Sequence, residues 1–363
     1  MGASKHALAV MRLARTPRVG PVTFRGLVSR FGSADEALEA LPDLAQRAGG
    51  KPPKPPSIAS ITAEIETLET AGCSLLTLGE ANYPKALAAL EDAPPVLTAR
   101  GALSLLSEPM LAMVGARNAS TIGRKLAMQL ARDLGKNGMV IASGLARGID
   151  TAAHMGSLHT GTVAVLAGGI NRIYPKENDD LYWQIAEQGV ILAEMPWDAQ
   201  PTAQLFPRRN RIVSGLSLGV IVVEAAKRSG SLITARLAGE QGRQVFAVPG
   251  NPLDPRASGA NHLIREGATL VRSAEDVLED IGPMTTSIEG PAQSFSNTQV
   301  TAEPDAALRQ AVLDTLSTVP IHMDEIARSL QVSAPLLNAA FVELELAGRL
   351  ERHAGGRIAL AAG

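Results

Sequence analysis

Short, uninterrupted apolar runs recur through the middle of the chain, each followed by a segment with helical spacing. Leu111–Val114, Met139–Ala142, Thr162–Leu166, Val190–Ala193, Val220–Val223 and Gln244–Val248 are continuous rather than alternating, which is how strands buried on both faces read. From Leu111 to Ile281 this succession predicts an α/β fold with a doubly wound, Rossmann-like parallel sheet, because right-handed crossovers place helices on both faces. Ser74–Thr77 and Val96–Ala99, separated by the turn Asn82–Lys85, predict two further short strands that extend the same sheet.

The flanks read differently. Residues 6–48 show three- and four-residue apolar spacing and predict a small helical domain. Its turn Arg18–Val22 is similar to the hairpin of a helix-hairpin-helix module; a plain helical packing module is the other reading. Gly49–Pro56 is Pro-rich and predicts a stiff, solvated connector. These segments make a first domain of residues 1–56, and an extended Rossmann-like domain covers 57–281. Residues 282–304 lose periodicity and gain Ser, Thr, Pro and Gly, which predicts a flexible linker. Residues 305–363 then predict helices at Asp305–Leu316, Met323–Leu330 and Ala334–Ala347, followed by a hairpin around Gly355–Gly356. That is a winged helix-turn-helix, whose third helix would be the DNA reader. Here that helix carries no Lys or Arg, which favours a protein-contact or structural role over reading a polyanion.

Composition narrows the class. A hydrophobic content of 45% in 363 residues excludes wholesale disorder. No apolar run approaches a membrane span and Met1–Arg15 lacks an apolar h-region, so a cytoplasmic protein is expected. Cys73 is the single cysteine, which excludes an internal disulfide and a cysteine-based zinc site, and reads as a small core residue. Net charge is only −2, yet residues 111–272 carry 18 Lys and Arg against 12 Asp and Glu, a net +6. The Rossmann-like domain therefore holds the basic surface.

In an open parallel sheet, ligands bind beyond the carboxyl ends of the strands. Each predicted strand runs into a polar or glycine-rich cluster there: Gly115–Ser120, Ser143–Asp150, Gly168–Lys176, Glu194–Pro196, Glu224–Ser231 and Pro249–Gly250. The Gly115–Ser120 loop opens a helix, whose unpaired N–H groups and dipole suit a phosphate. Arg117, Arg147, Lys176, Arg208, Arg209, Arg211 and Lys227 are expected around one rim, suited to several phosphates in a row. Neither GxGxxG nor GxxxxGK[ST] follows the first strand, so dinucleotide and P-loop ligands lose their usual support. Gly215–Gly219 matches GxSxG, but a helix precedes Ser217 and a strand follows it, the reverse of a nucleophile elbow. His154 and His159 lie five apart, which does not place them on one helical face. No catalytic residue, metal or cofactor is expected.

Several segments together resemble one family. Gly115 with Arg117, Ser143–His154, Gly161–Thr162, Ile173–Pro175, Phe206–Ile212, Ser229–Ala235 and Val248–Gly250 are similar, in this order, to the motif series of the DNA-processing protein A (DprA, also called Smf) family. The resemblance is dense from about residue 80 to 272. It implies a single-stranded DNA-binding protein of natural transformation that protects incoming strands and helps load the RecA recombinase. It also implies a homodimer through the Rossmann-like domain and no requirement for nucleotide or metal. Carried onto matching positions, it implies DNA contact by Arg117, Lys176 and the segment Phe206, Arg208, Arg209, Asn210 and Arg211, assisted by the amides of Gly115, Ser143 and Gly144. Arg208 stands where that motif tolerates variation. Phe206 or Tyr174 would stack a base, core packing being the other reading of Phe206. Two other functions remain open: a nucleotide phosphoribohydrolase-type enzyme using Glu194 and Glu224, and a duplex DNA regulator using the winged helix.

Overall fold

The continuous apolar runs become the buried strands of a nine-stranded sheet. The computed structural model describes residues 4–285, 303–353 and 355–361. The chain divides into two compact units, one of Glu66–Ala292 and one that combines Met1–Ile65 with Gln293–Gly363. Helices α1 (Lys5–Ala14), α2 (Pro21–Phe31) and α3 (Ala34–Arg47) open the chain, and α4 (Ile58–Thr70) spans the division. Among the described residues, no helix is long and apolar enough to cross a membrane.

The larger unit follows in chain order as β1 (Ser74–Thr77), α5 (Lys85–Ala88), β2 (Val96–Gly101), β3 (Met110–Gly115), α6 (Thr121–Lys136), β4 (Val140–Ser143), α7 (Ile149–Ser157) and β5 (Thr162–Leu166). It continues through α8 (Asp179–Gln188), β6 (Val190–Ala193), α9 (Leu205–Gly215), β7 (Gly219–Val223), α10 (Gly230–Glu240), β8 (Gln244–Ala247), α11 (Ser258–Arg265), β9 (Thr269–Leu270) and α12 (Ala274–Thr285). The strand order is β1-β2-β6-β5-β4-β3-β7-β8-β9. From β6 to β9 every pairing is parallel, whereas β2 joins β6, and β1 joins β2, antiparallel. The two early strands thus extend the central sheet. Every residue of β5 and β7 is buried, because helices cover both faces. On one of them, Leu111, Met113, Ile141, Ile221 and Phe246 pack with apolar residues of α6, α7 and α12.

The chain winds outward from β3 through β4 and β5 to β6, then returns to lay β7 against the other side of β3. The loops after β3 and β7 therefore part company there, and their divergence opens a crevice at the carboxyl edge. The register pairs Gly115 with Val223. A β-carbon on Gly115 would collide with the Val223 carbonyl, so glycine is what lets the two strands end side by side.

The unit built from the chain ends has its own core. It adds α13 (Ala306–Thr315), β10 (Ile321–His322), α14 (Met323–Leu330), α15 (Ala334–Leu346), β11 (Leu350–His353) and β12 (Arg357–Leu360). The wing has three strands rather than the two read from sequence, in the order β10-β12-β11, since β10 is too short to leave a periodic signal. Ala48 joins Val312, Phe341 and Leu344 in one apolar cluster, so the helical front and the winged helix, divided in sequence, share a unit. Two further expectations shift. Helix α12 runs on to Thr285, into the stretch read as linker, whose remainder lies mostly outside the described residues. The Gly49–Pro56 connector is also pinned: Arg12 Nε donates to the Pro56 carbonyl at 3.2 Å and Arg18 Nη2 to the Lys51 carbonyl at 3.0 Å.

Candidate nucleic-acid interface

Helix α9 decides which of the predicted arginines face the crevice. Phe206, Arg209, Asn210 and Val213 recur at three- and four-residue spacing and so share one face. All four line a groove of about 720 Å³ with Gly115, Arg117 and Gly144. Arg208 turns elsewhere and lines a small separate pocket beside Glu194 and Met195. The run of arginines reads as one patch in sequence and splits by helical phase in space.

Arg117 is exposed, and its guanidinium stands over the Phe206 ring, 5.1 Å from the centroid. Tyr174, half exposed, meets the same ring at 5.8 Å with the planes tilted by 59°. A cation and two aromatics thus present themselves together at the mouth of the groove. Arg147 shares an adjoining recess with Arg117, Tyr174 and Phe206 and pairs at 3.5 Å with Glu177, both side chains being well exposed. Such an exposed pair holds weakly, at about 0–1 kcal/mol, and leaves Arg147 exchangeable toward another anion. Lys176 and Lys227 are exposed and lie outside the groove lining.

The floor of the groove is locked by Gly144. Its N–H donates to Asp150 Oδ2 at 3.1 Å, and the same carboxylate takes the Ala146 N–H at 3.3 Å. Its carbonyl accepts from Arg209 Nη1, which also reaches the Val165 carbonyl, each at 2.5 Å. A side chain at position 144 would collide with that guanidinium. Leu145 follows in the left-handed region at φ 54°, and Asn178 Nδ2 holds its carbonyl at 2.9 Å. Strained backbone held by this many bonds is characteristic of sites that must be preorganised. Burial pushes the Asp150 carboxyl up, with Arg209 opposing. Burial likewise pulls the Arg209 guanidinium down to about 10, with Asp150 opposing. Each charge therefore compensates the desolvation of the other.

Several of the expected contact residues lie away from the groove mouth. Arg211 is only 7% exposed; it donates to Glu194 at 2.6 Å and to the Asp92 carbonyl, so its fork is occupied inside the protein. Arg209, 6% exposed, braces the groove from beneath rather than reaching out. Ser143 is fully buried, and its hydroxyl donates to the Met113 carbonyl at 2.6 Å. The Gly144 amide is taken by Asp150. The anion cradle at the start of α6 is filled as well. Glu224, at φ 55°, accepts from the Ser120 N–H at 2.8 Å and from the Ser120 hydroxyl at 2.5 Å. An internal carboxylate from the β7 loop thus occupies the helix N-terminus that the sequence offered to phosphate.

Sequence reading missed Arg228, Arg256 and Asn118, which line the same groove. Arg228 was within reach, being adjacent to Lys227 in the quoted Glu224–Ser231 cluster. Arg256 lies in an aperiodic loop where it pairs with Asp254 at 2.8 Å, and nothing local points it toward the sheet. The reversed GxSxG is a buried turn, with the Ser217 hydroxyl on the Val213 carbonyl at 2.9 Å.

His154 gives a pH test of this floor. It is fully buried, with Nδ1 2.7 Å from the Thr162 hydroxyl, and burial, aided by Arg209, lowers its pKa from 6.5 to about 3. The unfolded chain therefore takes up a proton in a range where the folded chain refuses it. Stability from this group is full above pH 6.5 and is lost as pH falls toward about 3, at up to about 1.4 kcal/mol per unit. His154→Gln should flatten the acid limb of a urea-midpoint profile; a limb parallel to wild type would contradict the assignment.

The fold and the groove together define a Rossmann-like protein with a cation-lined switch-point crevice, preceded in sequence by a helical module and followed by a winged helix. The chain belongs to the DprA family. Residues 74–282 match the family described as DNA recombination-mediator protein A, residues 4–67 the DprA-like N-terminal HHH domain, and residues 296–356 the DprA winged helix domain. It is 39% identical to Protein Smf of Escherichia coli over 83% of this chain and 81% of that one. It is 44% identical to DNA processing protein DprA of Bacillus subtilis over 58% and 72%. The solved structure of DprA from Streptococcus pneumoniae superposes with a TM-score of 0.64 at 36% identity, covering 77% of this chain and 99% of that one. DprA from Helicobacter pylori, whose structure was described for its single-stranded DNA binding mode, superposes at 0.54 with 33% identity, over 58% and 96%. The chain is thus a DNA-processing protein by family.

Proposed function

We propose that this protein binds single-stranded DNA in the switch-point groove, protects incoming strands during natural transformation, and promotes loading of the RecA recombinase onto them. It acts in the cytoplasm as a homodimer formed through the Rossmann-like unit, with no cofactor and no chemistry of its own. The observation that carries this reading is Arg117: an exposed guanidinium seated on Phe206, at the mouth of a groove, with no acidic partner among the described residues. The kinship with the Helicobacter pylori protein supports the choice of a single strand.

The geometry of the groove supports the following contact set. Arg117 grips a phosphate while Phe206 and Tyr174 offer ring faces to a base, worth about 1–3 kcal/mol per stacked base. Asn210 and Arg228 line the groove beyond, and Arg147, Lys176 and Lys227 supply flanking charge. The backbone of Gly115 permits close approach of the strand. Gly144, Ser143, Arg209 and Arg211 hold the shape.

A glycosidic hydrolase would need Glu194 and Glu224 free to exchange protons. Glu194 is buried on Arg211 and Glu224 is seated on Ser120, which disfavours that reading. A duplex regulator reading through α15 is disfavoured because α15 is buried from Leu337 onward, apart from the half-buried Asn338 and Glu345, and packs against α2 and α3. Binding of a single-stranded oligonucleotide should weaken with salt at a log–log slope of about −0.7 per phosphate neutralised; a flat response would sink the proposal.

A further inference from the structure

The first 34 residues contain six Lys and Arg and no Asp or Glu, and none of this charge belongs to the groove described above. Two of the six are spent inside the unit: Arg15 on Glu64 at 3.3 Å, and Arg30 on Glu343 at 3.0 Å. Two others do something different. Arg12 and Arg18 grip the carbonyls of Pro56 and Lys51 and so lay the Pro-rich connector along α1 and the turn after it. Pro53 is buried by this docking, while Lys51 and Lys54 stay exposed.

The docking gathers cations from three distant parts of the chain. Arg18 sits in the turn between α1 and α2, itself at φ 66°. Gly348, at φ 72°, brings its backbone so close that a β-carbon there would stand 2.8 Å from Arg18 Nη1. The next residue, Arg349, lies over Gly49, with its Nη1 3.6 Å from where a β-carbon would be. Arg18, Lys51, Lys54 and Arg349 are all exposed, and none has an acidic partner among the described residues. Like charges are being held together at the surface, an arrangement that costs folding energy and is relieved by a polyanion.

We propose that this stripe is a second nucleic-acid surface, which binds the phosphate backbone of duplex DNA independently of the single-strand groove. The choice of a duplex rests on what the stripe lacks. Sequence-tolerant binding of single strands relies on aromatic faces for the bases. Among the described residues, no Phe, Tyr or Trp side chain of this unit is exposed. A row of point charges without ring faces suits a rigid, regularly spaced array of phosphates. The winged helix thus contributes Arg349 from the end of its buried third helix, not that helix's face.

The test uses the full chain and two probes of equal length, a blunt duplex and a single-stranded oligonucleotide, each titrated across a salt series. The triple variant Lys51→Gln, Lys54→Gln, Arg349→Gln changes only exposed side chains that hold no internal partner. It should weaken duplex binding about tenfold at low salt and make the duplex log–log slope shallower by about 2.7, or 0.9 per contact. Single-strand binding should stay unchanged, whereas Arg117→Ala should weaken the single strand and spare the duplex. A duplex slope unaltered in the triple variant overturns the proposal while leaving the groove reading intact. Equal weakening of both probes overturns it too, as does a wild-type protein that binds poly-glutamate and ignores the duplex.

Discussion

Glu343→Ala is expected to destabilise the unit built from the chain ends by about 3–5 kcal/mol, the range for removing one partner of a buried ion pair. Glu343 lies on α15 with its side chain fully buried, and it receives Arg30 Nη1 at 3.0 Å and Arg309 Nη1 at 2.6 Å. Both guanidiniums are 13% exposed. Truncation would leave Arg309 without a carboxylate partner among the described residues, and the remaining carboxylate on Arg30 would be the exposed Glu303 at 3.2 Å. The neighbouring carboxylate, Glu345, is already occupied by Thr23 and by Arg352 at 3.0 Å, so it is not free to substitute. The two units need not unfold together, and a single global midpoint would blur the effect. Amide exchange within Ala334–Leu346 reads it locally: protection should fall steeply in Glu343→Ala and recover in part in Glu343→Gln, which keeps volume and an acceptor. Unchanged protection would show that the acidic third helix is not what ties the winged helix to the helical front.

Arg209→Ala should be comparably damaging to the larger unit, at about 3–5 kcal/mol, and should also impair DNA binding although Arg209 itself faces the floor. The variant removes the donors of the Gly144 and Val165 carbonyls and the charge that offsets the burial of Asp150. Asp150 would then favour protonation, and its hold on the Gly144 and Ala146 amides would weaken. Adding Asp150→Asn should restore part of the lost stability, because it deletes the uncompensated charge while keeping an acceptor. A double-mutant cycle measures this coupling; strictly additive effects would mean the two residues stabilise the loop separately.

Much of the larger unit was legible in the sequence because strands buried on both faces are continuous apolar runs. β1, β5 and β6 fall at the residues expected for them, and β2, β3, β4, β7 and β8 shift by one or two. The two-residue strands β9 and β10 left no pattern. The groove was legible as loops at strand ends, but its inner allocation was not. Whether Arg208, Arg209 or Arg211 faces the crevice depends on the phase of α9. The occupant of the α6 N-terminus, Glu224, comes from the loop after a strand that is distant in sequence and adjacent only in the sheet. Likewise, the bonds from Thr23 and Arg30 to Glu345 and Glu343 join opposite ends of the chain, so the helical front and the winged helix read as separate domains.

The lesson of the groove is that the α6 N-terminus and the Gly144 and Ala146 amides, all able to hold phosphate, are here satisfied by the protein's own Glu224 and Asp150. The open positive charge belongs to side chains at the mouth, Arg117 foremost. One measurement bears on this most directly: single-strand affinity across a salt series for wild type and Arg117→Ala, with thermal unfolding to confirm that the variant is folded. The account predicts weaker binding in the variant and a log–log slope shallower by about 0.7, one phosphate contact. A folded Arg117→Ala protein whose affinity and slope coincide with wild type would contradict it.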